Sequence, residues 1–158
     1  MIKKKVIRAF TLIELLVVVA IIGILAAVGV VAYQGYTEGA KENAVKTNHS
    51  QVAKYIAAES QKCNISSTGT AFGAVNFCAT PPTAARIIQQ LPVALAAFKN
   101  PYNASANAFA QGGAMSVANI GFIYVAATPA PATNQVRITS CYGNCTAAQQ
   151  LTVDVSIR

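Results

Sequence analysis

The sequence predicts an α+β fold in which one long N-terminal α-helix packs against a small antiparallel β-sheet. One helix is predicted over residues 10–61, because residues 15–32 are an unbroken apolar run and apolar side chains from Tyr33 to Ile56 then recur at spacings near three and four. No proline occurs before Pro81, so nothing in this stretch forces a break. Toward the C-terminus the pattern changes to alternation of apolar and polar residues, which is typical of strands with one buried face. A helix followed by a run of strands indicates the α+β class.

The first nine residues carry most of the basic character of the chain. Three lysines and one arginine lie in residues 1–9, before any acidic residue. Residues 10–158 contain eight Lys or Arg and five Asp or Glu, although the net charge of the whole chain is +7. This distribution argues against a basic nucleic-acid-binding fold. Cationic residues beside an apolar segment stay in the cytoplasm, so residues 1–9 are interpreted as a topogenic signal.

The next element is an apolar segment with one acidic residue at its edge. Residues 15–32 contain no charged or strongly polar side chain. At ~1.5 Å per residue, these residues as a helix span about 27 Å, close to the ~30 Å of bilayer hydrocarbon. A carboxylate inside a membrane costs about 2.5–3.5 kcal/mol on insertion scales, so we expect Glu14 to have a partner and a function. A cleavable secretory signal ending at Ala32, or a plain signal anchor, would leave Glu14 unexplained.

Residues 33–62 are predicted to continue the helix as an amphipathic segment. Its apolar positions are Tyr33, Tyr36, Ala40, Ala44, Val45, Val52, Tyr55 and Ile56. The charged residues fall mostly between them, among them Glu59, and His49 is assigned to the polar side with a solvated or capping role. The residues that follow are too few to cover the whole helix. Its first half, residues 10–32, is therefore expected to lie in lipid or among copies of itself.

Residues 63–158, called the head, are expected to contain loops, one short helix and the sheet. Loops are predicted over Cys63–Thr70 and Asn100–Gly113, and a helix over Thr83–Leu91, which begins after Pro81-Pro82 and is ended by Pro92. Strands are predicted within Asn119–Ala127, Val136–Thr139 and Leu151–Arg158. Three antiparallel strands with one face against the helix would complete the fold.

The four cysteines indicate two disulfides. An even number of cysteines downstream of an export signal is typical of an oxidising compartment. Three pairings are possible, and we favour Cys63–Cys78 with Cys141–Cys145 over a crossed pairing such as Cys78 with Cys141. Zinc is the less favoured reading, because the spacings do not form a knuckle and His49 is the only histidine. We expect no metal, no cofactor and no catalytic set, and hence not an enzyme.

One stretch carries a specific resemblance. The sequence FTLIELLVVVAIIGILAA, Phe10–Ala27, preceded by basic residues, resembles the N-terminal signature of the type IV pilin family. The resemblance implies the pilin fold and a prepilin peptidase that cuts between Ala9 and Phe10, which removes residues 1–9 as a leader. It further implies that Phe10 is N-methylated. Glu14 would then pair with the N-terminal amine of a neighbouring subunit during docking.

Two positions depart from the pattern of that family. Ala9 stands where the family usually has glycine before the cut. Alanine is the smallest alternative, so we expect cleavage to be tolerated but slower. Val31 stands where the family usually has a proline that loosens the helix. Gly29 is expected to replace part of that effect, since glycine weakens helices.

The function implied by the resemblance is structural. The chain would be a type IVa-like major pilin that polymerises into a homo-oligomeric helical filament for adhesion, twitching motility or DNA uptake. The implied partners are prepilin peptidase, the inner-membrane assembly platform and the assembly and retraction ATPases, with nucleic acid bound only at the level of the filament. The precursor would lie in the bacterial inner membrane and the product in an extracellular pilus. The alternative is a type II secretion pseudopilin, which shares the N-terminus but usually lacks these cysteines.

Overall fold

The computed structural model describes residues 10–111, 115–128 and 134–157. Helix α1 spans Leu12–Ile65. The predicted α+β fold is confirmed, although α1 continues past Cys63, which was predicted to lie in a loop. The helix is continuous through Gly29 and Val31. The predicted leader, residues 1–9, lies outside the described residues.

The chain divides into two units, Met1–Glu38 and Gly39–Arg158. The described part of the first unit is the apolar portion of α1, in which every side chain from Phe10 to Tyr36 is exposed. The second unit holds the remainder of α1 and all other helices and strands of the described residues. Among the described residues, the hydrophobic core lies in this second unit.

Helix α2 spans Ala84–Ala94 and contains Pro92. The prediction that Pro92 ends this helix is wrong. A proline removes the N–H that would bond to the carbonyl four residues earlier, here that of Ile88. The side-chain Nε2 of Gln111 donates to this Ile88 oxygen instead, at 3.0 Å. The Ile88 carbonyl, which has no backbone donor at Pro92, is therefore still hydrogen-bonded, and α2 continues through the proline.

The described residues contain six strands in two sheets. They are β1 (Lys99–Asn100), β2 (Asn103–Asn107), β3 (Phe109–Gln111), β4 (Ile123–Ala127), β5 (Gln135–Cys141) and β6 (Gln150–Ser156). Strands β1 and β2 form an antiparallel pair, and the other four form a sheet in the order β3-β4-β5-β6. The predicted antiparallel pairing of β4, β5 and β6 is confirmed. Strand β3 runs parallel to β4, so the sheet is mixed rather than purely antiparallel.

The predicted loop over Asn100–Gly113 is wrong where β2 and β3 form. This stretch is rich in Asn, Ala and Ser, which have low strand propensity. Pairing with neighbouring strands overrides that local preference, because the hydrogen bonds of β3 are made to β4, which lies far along the chain. Gly113 itself lies outside the described residues.

The core of the second unit lies between the sheet and the two helices. The register of β5 and β6 pairs Val136 with Val155 and Ile138 with Val153, which places these apolar side chains on one face. Val52 and Ile56 of α1 and Ile87 and Leu91 of α2 are fully buried in the same cluster. Burial of such side chains stabilises a fold by about 1.5–3 kcal/mol each before entropy is counted.

Two polar residues assigned to the solvent-facing side of α1 are buried, so these assignments are wrong. His49 is 8% exposed and Glu59 is 9% exposed. The Oγ of Ser140 lies 2.8 Å from Nδ1 of His49. The Oε2 of Glu59 accepts a hydrogen bond from the backbone N–H of Phe72 at 2.7 Å. A polar group is tolerated in a core when it has such a partner, and no pattern along α1 reveals the partner.

The buried imidazole of His49 should make stability dependent on pH. Burial lowers the pKa of His49 below its ordinary value of 6.5. The unfolded chain then binds more protons than the folded one as the pH falls through 6.5. Stability should therefore be complete above that pH and fall by up to about 1.4 kcal/mol by pH 5.5.

Thermal unfolding of the full chain in detergent at about pH 7.5 and about pH 5.5 tests this expectation. Carboxylates with ordinary pKa values remain largely ionised over that range. The His49→Gln variant is the control and should show a smaller difference between the two pH values. Equal differences in both proteins would contradict a role for His49.

Candidate functional site

The N-terminal end of α1 holds a reciprocal pair of side chains. The Oγ1 of Thr11 accepts a hydrogen bond from the backbone N–H of Glu14 at 3.3 Å. In return, Oε2 of Glu14 accepts from the backbone N–H of Thr11 at 2.9 Å and from its hydroxyl at 2.7 Å. This is a capping box, which satisfies backbone donors that a helix leaves unpaired at its start. Within one chain, Glu14 thus has a partner in Thr11.

The carboxylate of Glu14 lies in an exposed apolar surface. Phe10 is 82% exposed and Leu12 is 81% exposed. Among the described residues, α1 is the helix that is long and apolar enough to cross a membrane by length and composition. Soluble monomers rarely expose apolar surface on this scale, so lipid or other chains are needed to cover it.

A shallow groove of about 400 Å³ lies beside Glu14. It is lined by Phe10, Ile13, Glu14, Val17 and Val18. The exposed lining of the groove is entirely apolar, so Glu14 contributes its hydrocarbon stem to it, while its carboxylate is held by Thr11. A cation that approached this surface would find a single carboxylate among exposed apolar side chains, where an ion pair gains more than in water once water is excluded.

The structure brings two of the expected site residues together. Phe10 and Glu14 line the same groove, whereas Ala9, on the other side of the expected cleavage point, lies outside the described residues. Thr11 was not among the expected site residues. A Thr followed three residues later by Glu, just before an apolar run, is the signature of a capping box and would have indicated it.

The second unit contains two disulfides, Cys63–Cys78 and Cys141–Cys145. The first joins the C-terminal end of α1 to a residue 15 positions later. In the chain-entropy model, closing a loop of that length contributes about 3 kcal/mol. The second spans the connection between β5 and β6. Every cysteine of the chain is in a disulfide, so none is available as a metal ligand.

Comparison with known proteins identifies the N-terminal region. Residues 4–30 match the family model of the prokaryotic N-terminal methylation motif. This match and the long apolar N-terminal helix support a type IV pilin-like protein. The motif implies a membrane-anchored precursor that is processed by prepilin peptidase and enters filament assembly in general. No solved structure matches the chain.

The loop between β5 and β6 of this pilin-like chain is held by one glutamine. The Oε1 of Gln149 accepts from the backbone N–H of Asn144 at 2.9 Å and from the hydroxyl of Thr146 at 3.0 Å. Gly143 has a φ of 57°, and a Cβ built there would lie 2.4 Å from the Gln149 amide nitrogen. A side chain at this position would displace the Gln149 side chain and would adopt a positive φ that glycine tolerates best, so the glycine lets the loop close over Gln149.

The tyrosine in that loop contacts α1. The ammonium of Lys46 lies 4.3 Å from the ring centroid of Tyr142, within the range of a cation–π contact. On the β1–β2 side, the hydroxyl of Tyr102 accepts from the backbone N–H of Gly143 at 3.3 Å. In the described residues, no group of three or more His, Cys, Asp or Glu side chains is placed to hold a metal ion.

Proposed function

We propose that the chain is the structural subunit of a type IV pilus, a type IVa-like major pilin that polymerises into a surface filament for adhesion, twitching motility or DNA uptake. The observation that carries this proposal is Glu14. It is a carboxylate in an exposed apolar surface, in a groove shared with Phe10. A charge in that position needs an opposite charge from another molecule once water is excluded.

The first step of the proposed mechanism is processing. Prepilin peptidase cuts between Ala9 and Phe10, which makes Phe10 the N-terminal residue, and its amine is then methylated. In the sequence, the new ammonium group on Phe10 is near Glu14, which is the only acidic residue of the apolar segment. Before docking, Thr11 supplies hydrogen bonds to the Glu14 carboxylate, which lowers the cost of keeping it in the membrane.

The second step is docking. The ammonium of one subunit enters the groove of its neighbour and pairs with Glu14. In surroundings of low dielectric constant such a pair gains far more than in water, and a carboxylate without its partner costs several kcal/mol. A subunit at the wrong axial position leaves Glu14 without the amine. The pair therefore selects the register, while contacts among the Leu, Val and Ile side chains of α1 provide the bulk of the attraction.

The two disulfides support a pilus subunit over a type II secretion pseudopilin. Small exported domains use disulfides to supplement a limited core, and a head exposed on a surface filament has that need. We assign the chain no catalytic role. The work of assembly and retraction is done by ATPases that act through the inner-membrane assembly platform, and nucleic acid is bound only by the filament.

The test is the intact mass of the protein in filaments sheared from cells, measured without a reducing agent. We expect loss of residues 1–9, one methyl group on Phe10 and the mass of two disulfides. A processed chain that stays in the membrane and never enters the sheared fraction would favour the pseudopilin. An N-terminus at Met1 or at Tyr33 would refute processing by prepilin peptidase.

A further inference from the structure

Strand β6 forms one edge of the four-stranded sheet. It has seven residues and pairs with β5 along its whole length without a register shift. Its other side faces no strand within the described residues. An edge of this length presents a row of backbone groups to which another chain can pair.

The hydrogen bonds at the two ends of the ladder show which residues face outward. The N–H of Tyr142 donates to the carbonyl of Gln149 at 3.1 Å, and the N–H of Ile157 donates to the carbonyl of Asn134 at 2.9 Å. Both pairs fall on the register of β5 and β6. Since bonded and non-bonded pairs alternate in an antiparallel ladder, every second residue between 149 and 157 bonds to β5. Thr152 and Asp154 alternate with these bonded residues of β6, so their N–H and C=O groups point away from β5.

This edge lacks the features that usually prevent pairing. The strand QLTVDVS contains no proline, no glycine and no lysine. Its one charge is Asp154, and both carboxylate oxygens are bound by Arg137, whose Nε and terminal nitrogen each lie 2.8 Å away. The charge is thus balanced within the sheet, and the edge remains suited to another strand.

Strand β2 offers a matching surface on another copy of the chain. Its five residues, NASAN, are uncharged and small, and four of them are exposed. The register with β1 supplies partners for Asn103 and Asn107, whereas residues 104–106 have no partner in β1. The N–H of Ser105 donates to Oδ1 of Asn103 at 3.2 Å, so another strand would have to displace this local bond or pair through the remaining groups. The other edge of the four-stranded sheet, β3, has three residues and is the shorter template.

Two strands of another copy could pair with the β6 edge, its β2 or its own β6, and the symmetry of the assembly distinguishes them. Two β6 edges that pair with each other form an isologous contact, which closes after two copies. A contact between two different surfaces is heterologous and can continue as an open helical filament. Because the motif of this pilin-like chain implies filament assembly, β2 is the occupant that fits.

We propose that the outward edge of β6 in one subunit pairs with β2 of the next subunit in the filament. The inference rests on the proposed function, since it requires a filament. The strand pairing would fix the heads to one another, whereas the pair formed by Glu14 would fix the N-terminal helices.

A proline at Thr152 tests the backbone contact. The N–H of Thr152 points away from β5, so Thr152→Pro removes a donor from the edge and none from the ladder. We expect the ratio of filament to membrane-bound protein to fall by roughly two- to tenfold, the effect of one lost hydrogen bond. The matched control Thr152→Val keeps the N–H and should leave the ratio unchanged. Equal ratios for the two variants, with unchanged thermal unfolding in detergent, would overturn the proposal.

Cross-linking gives a second test that does not depend on proline. A chain that carries both Thr152→Cys and Ala104→Cys should form a ladder of multimers in filaments treated with a short bismaleimide, which leaves disulfides intact. Each single variant should form none. Dimers from Thr152→Cys alone would show β6–β6 pairing and overturn the proposal, as would intact filaments without a ladder. If the unsubstituted chain forms no filaments, the proposed function itself fails.

Discussion

Replacing Glu14 by glutamine is expected to abolish incorporation of the chain into filaments, with a loss of at least about 100-fold. The amide keeps an oxygen that can accept from Thr11, so the capping box that now involves Glu14 is largely retained. It carries no charge, and the ammonium of the docking neighbour would then be buried unpaired. Breaking a buried ion pair by removing one partner costs about 3–5 kcal/mol, which exceeds a factor of 100.

The measurement compares sheared filaments with the membrane fraction by immunoblot. The control is Glu42→Gln, which removes a carboxylate from the same helix and loses an i,i+4 pair with Lys46 at 4.0 Å. Pairs of this kind contribute about 0.3–0.5 kcal/mol, so filament yield should barely change. Both variants should be inserted and cleaved normally. Filaments of the Glu14→Gln variant at the ordinary yield would show that the charge does not govern docking.

Replacing Phe72 by alanine is expected to lower the free energy of unfolding by about 3–5 kcal/mol. The side chain is 1% exposed, and its ring centroid lies 5.1 Å from that of Phe77 and 6.0 Å from that of Tyr55. Truncation leaves a cavity at this contact, in the loop that the Cys63–Cys78 disulfide closes.

The backbone of Phe72 allows a sharper comparison. It has a φ of 53° and is followed by Gly73 with a φ of 74°, in a turn closed by hydrogen bonds between Ala71 and Ala74. A left-handed conformation costs a non-glycine residue about 1–2 kcal/mol, and glycine avoids that cost. The Phe72→Gly variant should therefore be at least as stable as Phe72→Ala, which reverses the usual order of the two residues.

Urea unfolding of the full chain in detergent, without reducing agent, measures both variants. The control is Val75→Ala, at an exposed position three residues later, which should change stability by less than about 0.5 kcal/mol. A Phe72→Ala loss near that of the control would show that the aromatic cluster does not support the second unit. A Phe72→Gly variant clearly less stable than Phe72→Ala would contradict the turn geometry.

Local patterns in the sequence were sufficient to predict α1, β5 and β6, because the apolar residues of these elements form a continuous run or recur at a regular spacing. Helix α1 was predicted because an unbroken apolar run is followed, without a proline, by apolar residues that recur at helical spacing. Strands β5 and β6 were predicted because their apolar residues alternate, and the register confirms that Val136 and Val155 share a face. The apolar segment and Glu14 were evident for the same reason, since a single charge is conspicuous in an uncharged run.

The tertiary structure decided what depends on residues far apart in the chain. Strands β2 and β3 have weak local propensity, and β3 forms by pairing in parallel with β4. Helix α2 passes through Pro92 because Gln111 supplies a donor to Ile88. His49 is buried because Ser140, 91 residues later, provides a hydrogen-bond partner. Each of these features requires a contact between distant segments. Period and composition describe only neighbouring residues, and packing brings the distant partners together.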